Sequence, residues 1–403
     1  MGYLVKGKFP LFLAVCFLIF LPGSAAGQDF RPVLARESRG GALYRAGIFS
    51  VLELNGSYRE MGRQYGELLR EDLQNFYREA VIEFFHGEKG MSMEELKKTA
   101  FAVFGPYPRR YREILAGMAE TSGLDLEQHI LLNAVEWYPK IAHLSAGEAR
   151  CSGIAAWGPC SVGGRVVFGR NNDDDPLYRK FSKYLTTAVF KPGDGSFPTA
   201  VINYAGAVYA PTGMNSRGLF AEMNAGPWMG FSLNRTSIFT AIFSFLQDFP
   251  GLQEMERAVL STLPNLASII NVADGESAAS YELSLQDSRR ADSEYDGLLV
   301  STNHFVNPAW PFSGVEDRLA GLTVTRRENL LQLGERYRGT FTPGVMMKIL
   351  DLGLEQGGAT AGGTIYQVVA LPSERTIWLK APGVQDWTEI PLASLFGSEN
   401  GCP

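Results

Sequence analysis

The sequence lacks most of the motifs by which common enzyme classes are recognised. It has only four histidines, His86, His129, His143 and His304, and no two of them stand at the spacing of a zinc motif such as HExxH. It has no G-x-S-x-G nucleophile elbow and no P-loop. Zinc hydrolases, serine α/β-hydrolases and nucleotide-binding enzymes are therefore disfavoured. We predict no metal and no cofactor, and we interpret the acidic run 173–175 as a turn rather than a cation site.

An excess of positive charge is absent too. The 403 residues contain 37 Lys and Arg against 43 Asp and Glu, giving a net charge of -6 without a basic stripe, so nucleic-acid binding is not expected. A composition of 45% hydrophobic and 20% charged residues is globular rather than disordered or fibrous. The 44 glycines and 21 prolines indicate many tight turns. Together these features favour a sheet-rich fold over a helical bundle.

Long apolar runs are absent after residue 26. Before it, two lysines precede an apolar run at 11–21, and small residues follow that run. This pattern predicts a secretory signal that is cut before Gly27; the run is shorter than the roughly 20 residues of a membrane-spanning helix, which is the alternative. We expect an exported protein without stable membrane insertion after removal of 1–26. It would be periplasmic or extracellular in a bacterium, and secretory or lysosomal in a eukaryote.

The remaining chain changes character at residue 150. Residues 27–150 predict one short strand, at about 48–54, followed by amphipathic helices at about 58–85, 92–104, 108–119 and 126–137. Residues 151–403 predict mainly strands, with helices interspersed. The predicted strands are 151–157, 165–170, 199–204, 218–223, 297–302, 364–371 and 375–379, and the predicted helices are 237–247, 252–263, 319–333 and 343–351. Two sheets flanked by helices, an α+β architecture, is the economical arrangement for this pattern.

The segment from Cys151 to Asp175 reads as a β-hairpin that gathers reactive side chains. If its turn centres near residue 161, Cys151 lies opposite Arg170 and the residue after it, with Asp173 just beyond. A thiol needs a base to become a nucleophile, and the segment contains no histidine. Cleavage before Cys151 would supply one, because the freed α-amine has a reference pKa of about 7.7–8.0.

The chain contains few cysteines. Three follow the predicted signal, Cys151, Cys160 and Cys402, and an odd number predicts either one disulfide with a free thiol or no disulfide. Since Cys151 is the candidate nucleophile, Cys160–Cys402 is the pairing we expect if a disulfide forms. A structural buried thiol is the plain alternative for Cys151.

A set of short motifs, in this order and spacing, resembles the N-terminal-nucleophile (Ntn) hydrolases of the penicillin acyltransferase-like, peptidase C45 type. That family is related to choloylglycine hydrolases and to acid-amidase and ceramidase enzymes. The resemblance spans nearly the whole chain after the signal. The matching segments are Leu54–Gly66, Cys151–Ser152, Gly169–Asp173, Gly213–Leu219, Thr302–Phe305 and Thr325–Leu331. It implies a four-layer αββα sandwich of two mainly antiparallel sheets, preceded by a helical segment that is cut from the β-chain 151–403.

The resemblance also implies roles for the hairpin residues. Cys151 would be the nucleophile after cleavage of Arg150–Cys151. Asp173 would orient its α-amine, and Arg170 would polarise the thiolate and position the substrate. An ordinary ion pair at a strand end is the alternative for Arg170 and Asp173.

Further roles are implied outside the hairpin. Asn224 would donate to the oxyanion, and Asn303 would stabilise the tetrahedral intermediate or hold the α-amine; turn capping is the alternative for both. Arg326 is the expected late arginine, with Arg327 as a close second, and a solvated helix face is the alternative.

The resulting hypothesis is an exported, self-processing cysteine amidohydrolase or acyltransferase. Its partner would be a small-molecule N-acyl amide, whose non-peptide C–N bond is cleaved through a thioester. Two alternatives stay open: an inactive binding protein on the same fold, and a phospholipase B-like ester hydrolase.

Overall fold

The computed structural model describes residues 1–2, 31–141, 151–232, 234–235, 237–291, 293, 295–311 and 320–397. The predicted signal from residue 3 onward, Arg150 and Cys402 lie outside these ranges. In the described part of the chain, no helix combines the length and the apolar character needed to cross a bilayer.

Three strands open the described chain, a run of helices follows, and from β4 onward groups of strands are separated by helices. The strands are β1 Val33–Ser38, β2 Gly41–Ala46, β3 Phe49–Gly56, β4 Ser152–Gly158, β5 Gly164–Asp173, β6 Leu185–Pro192, β7 Thr199–Tyr204, β8 Thr212–Asn215, β9 Phe220–Ala225, β10 Ser268–Ala273, β11 Ala278–Leu283, β12 Ser288–Ala291, β13 Leu298–Ser301, β14 Thr364–Leu371, β15 Thr376–Ala381 and β16 Gln385–Pro391. The α-helices are α1 Tyr58–Leu68, α2 Arg70–Phe76, α3 Met93–Phe104, α4 Arg109–Thr121, α5 Leu126–Leu132, α6 Tyr138–Ile141, α7 Ile238–Asp248, α8 Leu252–Leu260, α9 Ala320–Arg336, α10 Pro343–Asp351 and α11 Leu392–Phe396. A π-helix covers Tyr77–Glu88, and 3₁₀-helices cover Pro176–Tyr184, Leu354–Gln356 and Pro372–Glu374.

Two sheets form the centre of the molecule. One has the strand order β1-β2-β3-β6-β7-β8-β9-β10-β11-β12, and the other has the order β13-β4-β5-β14-β15-β16. Neighbouring strands are antiparallel except for the parallel pair β3–β6. The rings of Phe168 and Phe220, one from each sheet, lie 4.9 Å apart between centroids, so the sheets pack face to face.

Helices cover the outer face of each sheet. Helices α1, α7 and α8 contact the larger sheet, whereas α9 and α10 contact the smaller one. On the smaller sheet, Ile154 and Val369 point into a separate apolar cluster with Leu330 of α9 and Ile349 of α10. The predicted α+β sandwich with αββα layers is therefore confirmed.

The segment before residue 150 contains more sheet than the sequence predicts. Instead of one strand, β1, β2 and β3 form one end of the ten-stranded sheet, so the prediction of a single strand is wrong. The six residues of β1 are almost all exposed, so no alternation of apolar and polar residues marks this edge strand. Strands β6, β10 and β11, also missed, are buried on both faces, which removes the alternation as well.

Helix α1 is fixed by its cap and by a close approach to α4. Ser57 caps its N-terminus in a capping box with Glu60. A Cβ at Gly62 would lie 2.1 Å from the carbonyl oxygen of Ile114, and one at Gly117 would lie 2.1 Å from that of Arg59. The glycine-rich motif after Leu54 thus serves helix packing.

Candidate active site

The β4–β5 hairpin brings the predicted nucleophile and its neighbours together. Asn171 pairs with Ser152 and Arg170 with Gly153, so the partners' numbers sum to 323. A turn centred near residue 161 predicts partners whose numbers sum to about 322, and the observed sum is larger by one because the ladder shifts between Ala156 and Gly158, next to the turn. Cys151 directly precedes β4, and Arg170 and Asp173 of β5 lie beside it, as the sequence predicts.

Cys151 lies at the meeting point of these groups. Its Sγ is 3.9 Å from Nη2 of Arg170 and 3.7 Å from the backbone oxygen of Asp173, and the residue is only 6% exposed. Burial raises the pKa of the Cys151 thiol, and the Arg170 guanidinium lowers it by less. Because the thiol form is thus favoured, nucleophilic attack requires a base close to the sulfur.

Asp173 is distinct from the two acids that follow it. Its Oδ2 forms an ion pair with Nη2 of Arg326 at 2.5 Å, and both side chains are 1% exposed. Its Oδ1 is buried without a hydrogen-bond partner. Asp174 instead accepts from the backbone N–H of Asp175, and Asp175 caps the helix that follows. Among the three acids, Asp173 alone combines an ion pair to Arg326 with an available carboxylate oxygen.

Arg326, rather than Arg327, reaches this carboxylate. Arg326 also donates from Nη2 to Ser152 Oγ at 3.3 Å and from Nε to the carbonyl of Ala359 at 2.7 Å. Burial raises the pKa of Asp173, while Arg326 counteracts that rise. Arg327 lines a cleft elsewhere. Arg326 is therefore the arginine that bonds Asp173, and its role in the reaction stays a prediction.

Arg170 has a buried carboxylate partner that the sequence analysis missed. It forms an ion pair with Glu222 of β9, and the two side chains are 1% and 0% exposed. It also donates to the carbonyl of Met223 at 2.9 Å and to Asn172 Oδ1 at 2.6 Å. Residues two apart on a strand point to the same face of the sheet, so Glu222 shares the face of Asn224. This spacing is the signal that could have identified Glu222.

The two predicted amide residues lie on neighbouring elements. Asn224 donates from Nδ2 to Ser301 Oγ at 2.9 Å, and Asn303 donates from Nδ2 to the carbonyl of Ala225 at 2.8 Å. Both Oδ1 atoms are buried without a partner. Since Ser301 pairs with Gly153 in the β13–β4 ladder, continuing that register places Asn303 opposite Cys151. Neither amide caps a turn in this arrangement.

A cleft opens beside Ser301, between β11, β13 and α9. Its polar lining includes Glu282, His304 and Arg327. Glu282 accepts from the backbone N–H groups of Val306 and Asn307, and burial raises its pKa.

Cys160 is buried apart from the site, and Arg338 donates to its Sγ at 3.1 Å. Its predicted disulfide partner, Cys402, lies outside the described residues, so that pairing stays a prediction. Among the described residues, no cluster of three His, Cys, Asp or Glu side chains is arranged to hold a metal ion.

Comparison with known proteins gives similarity at the level of solved structures. No protein-family model and no curated protein matches the chain. Similar structures include an N-acylethanolamine-hydrolyzing acid amidase ortholog from Caenorhabditis elegans, with 18% identity, 55% of this chain and 93% of that chain covered, and a TM-score of 0.42. A mutant form of conjugated bile acid hydrolase from Clostridium perfringens has 14% identity, with 62% and 95% covered and a TM-score of 0.40. Penicillin V acylase from Agrobacterium tumefaciens has 11% identity, with 62% and 89% covered and a TM-score of 0.39.

These neighbours are of the kinds that the sequence motifs resemble. Identities and TM-scores this low leave the activity of this chain to be inferred from the residues of its site.

Proposed function

We propose that this protein is an exported, self-processing Ntn amidohydrolase or acyltransferase with Cys151 as its nucleophile. One observation carries the proposal: the Cys151 thiol lies beside Arg170, and Asp173 next to it keeps one buried carboxylate oxygen without a partner. That oxygen is suited to accept an N–H from a new α-amine at Cys151. A buried acceptor without a donor costs free energy, so it indicates a group that arrives later.

The first reaction is cleavage of the chain before Cys151. The Sγ atom attacks the carbonyl carbon of Arg150, and the proton from the thiol moves to the departing nitrogen. The product is a thioester, with the Cys151 α-amine set free. Water then hydrolyses the thioester, which releases the carboxylate of Arg150 and restores the thiol.

The second reaction uses the amine that the first one produces. The α-amine takes the thiol proton while Sγ attacks the amide carbonyl of the substrate. Asn224 and a backbone N–H hold the oxyanion, Asn303 stabilises the tetrahedral intermediate, and Asp173 with Arg326 orients the α-amine. The α-amine passes its proton to the leaving amine, and a thioester forms on Cys151. Water or a second amine then takes the acyl group.

Intact mass spectrometry after expression of the full chain tests the processing step. Wild type and the matched thiol variant Cys160→Ala should both give a fragment that begins at Cys151, and Cys151→Ala should stay uncut before that residue. A wild type that folds normally but is not cleaved there would remove the proposed base. Faster alkylation by iodoacetamide at Cys151 than at Cys160 is expected once the α-amine is free.

A substrate screen tests the chemistry. The cleaved protein should release amines from at least one class among N-acyl amino acids, penicillins, bile-acid conjugates and fatty amides. Adding a second amine separates acyl transfer from hydrolysis, because a new amide then forms. Esters of the same acyl groups, tested beside the amides, separate an amidase from a phospholipase B-like enzyme. Equal inactivity of wild type and Cys151→Ala toward all of them would favour a binding protein.

A further inference from the structure

The side-chain amide of Asn224 uses one of its two Nδ2 hydrogens on Ser301, which leaves a single hydrogen for an oxyanion. Its Nδ2 donates to Ser301 Oγ at 2.9 Å, while its Oδ1 is buried without a partner. Ser301 Oγ also accepts from Asn271 Nδ2 at 2.5 Å. Two donors thus point at one hydroxyl, and no acceptor among the described residues receives the Ser301 proton. The buried Oδ1 atoms of Asn224 and Asn271 and the hydroxyl hydrogen of Ser301 are thus left without partners in this network.

The amide of Asn271 has only one suitable orientation. Its Nδ2 donates to the carboxylate of Glu222, which is also the partner of Arg170. A half-turn of the Asn271 amide would place Oδ1 against that carboxylate, and two acceptors would repel each other. Because Glu222 holds Asn271 as a donor, Ser301 Oγ always receives one N–H from Asn271. Its own proton is therefore available for another acceptor.

The amide of Asn224 does have a choice, because nothing in the described structure bonds its Oδ1. A half-turn exchanges Oδ1 and Nδ2, which have nearly the same size, and no neighbouring atom needs to move. In the exchanged orientation Ser301 donates its proton to Asn224 Oδ1. Asn224 Oδ1 and the Ser301 hydroxyl hydrogen then bond to each other, and both Nδ2 hydrogens are left for a group bound in the site.

We infer that Ser301 is the positioning residue that turns the Asn224 amide so that Nδ2, with both hydrogens, faces the reacting carbonyl. The inference rests on the proposed function, because it assigns a supporting residue to the proposed oxyanion donor. A relay of hydrogen bonds then runs from Arg170 through Glu222, Asn271 and Ser301 to the amide of Asn224. The group beside the thiol and the group beside the oxyanion are held by one buried network.

The expected effect of losing Ser301 is smaller than that of losing the donor itself. Removing one oxyanion donor typically lowers kcat by about 10²–10³-fold. Without the Ser301 hydroxyl, the Asn224 amide can adopt both orientations, so the donor is weakened rather than lost. We expect Ser301→Ala to lower kcat by about 10–100-fold with little change in KM.

The experiment compares variants on a panel of acyl 4-nitroanilides with different chain lengths, using the full chain after processing. Ser301→Ala should lower kcat, Ser301→Thr should restore it because the hydroxyl is kept, and the double variant with Asn224→Ala should be no slower than Asn224→Ala alone. Ser182→Ala is the matched control: Ser182 is 1% exposed, lies on the 3₁₀-helix Pro176–Tyr184 outside the cleft, and its hydroxyl has no hydrogen-bond partner among the described residues. It should leave kcat unchanged.

The outcomes separate the inference from the proposed function. Wild-type kcat in Ser301→Ala, together with a slow Asn224→Ala, overturns the positioning role and leaves the proposed function standing. Full activity in Asn224→Ala overturns the inference, because Asn224 is then not the oxyanion donor that Ser301 would position. Hydrolysis of 4-nitroanilides by Cys151→Ala overturns the proposed function itself. If Ser301→Ala does not fold, Ser301→Cys replaces it, because a thiol keeps the volume and donates weakly. A wild-type kcat in Ser301→Cys overturns the inference equally.

Discussion

The buried ion pair between Arg170 and Glu222 allows a quantitative test of the site's construction. Glu222→Gln keeps the shape of the side chain and an oxygen for Asn271, but it removes the charge opposite a guanidinium that is 1% exposed. Breaking a buried pair by neutralising one partner costs about 3–5 kcal/mol. Because Arg170 keeps two neutral acceptors, at 2.6 and 2.9 Å, we expect the lower end, about 3 kcal/mol of unfolding free energy.

The assay is guanidinium unfolding in a Cys151→Ala background, in which no variant is processed. Glu276→Gln is the control, because Glu276 is exposed in the turn between β10 and β11. The double variant Arg170→Met with Glu222→Met removes both charges and should recover most of the lost stability without restoring activity. A Glu222→Gln midpoint equal to that of Glu276→Gln would refute the view that this pair is desolvated and structurally required.

Three further predictions concern the surroundings of the site. A Cβ at Gly153 would lie 2.6 Å from the carboxylate of Glu222 in the buried ion pair. Gly153→Ala should therefore lower kcat on the nitroanilide panel by about 100-fold. The control Gly362→Ala, with no atom within 4 Å of the added Cβ, should have no effect. Arg326→Gln should slow acylation of Cys151, measured by intact mass, by at least about tenfold because the α-amine is less well oriented; equal rates in Arg326→Gln and Arg327→Gln would contradict the assignment. Burial lowers the pKa of His129 to about 4, so the folded state binds fewer protons than the unfolded state, and stability should fall as the pH drops from about 6.5 toward 4. The loss should be about 2–3 kcal/mol at pH 4.5 in guanidinium unfolding, and a His129→Gln variant with the same pH dependence would exclude His129 as its source.

The sequence predicts the local parts of the fold well. Strand β14 and helix α10 match their predicted bounds, and the hairpin register agrees to within one residue. These features depend on residues close together in the chain, where periodicity and turn chemistry act directly. The missed strands β6, β10 and β11 are buried on both faces, and that burial exists only after the sheets have stacked.

By itself, the sequence predicted that Cys151, Arg170 and Asp173 lie together, because a hairpin brings its two strands together at short chain separation. It also singled out Arg326 and the two asparagines, through motif resemblance. Only the tertiary structure decided the partners of these groups: Glu222 meets Arg170 and Ser301 meets Asn224 across separations of 52 to 77 residues. Such contacts form only after the two sheets pack together and exclude water, so they join residues that lie far apart in the chain.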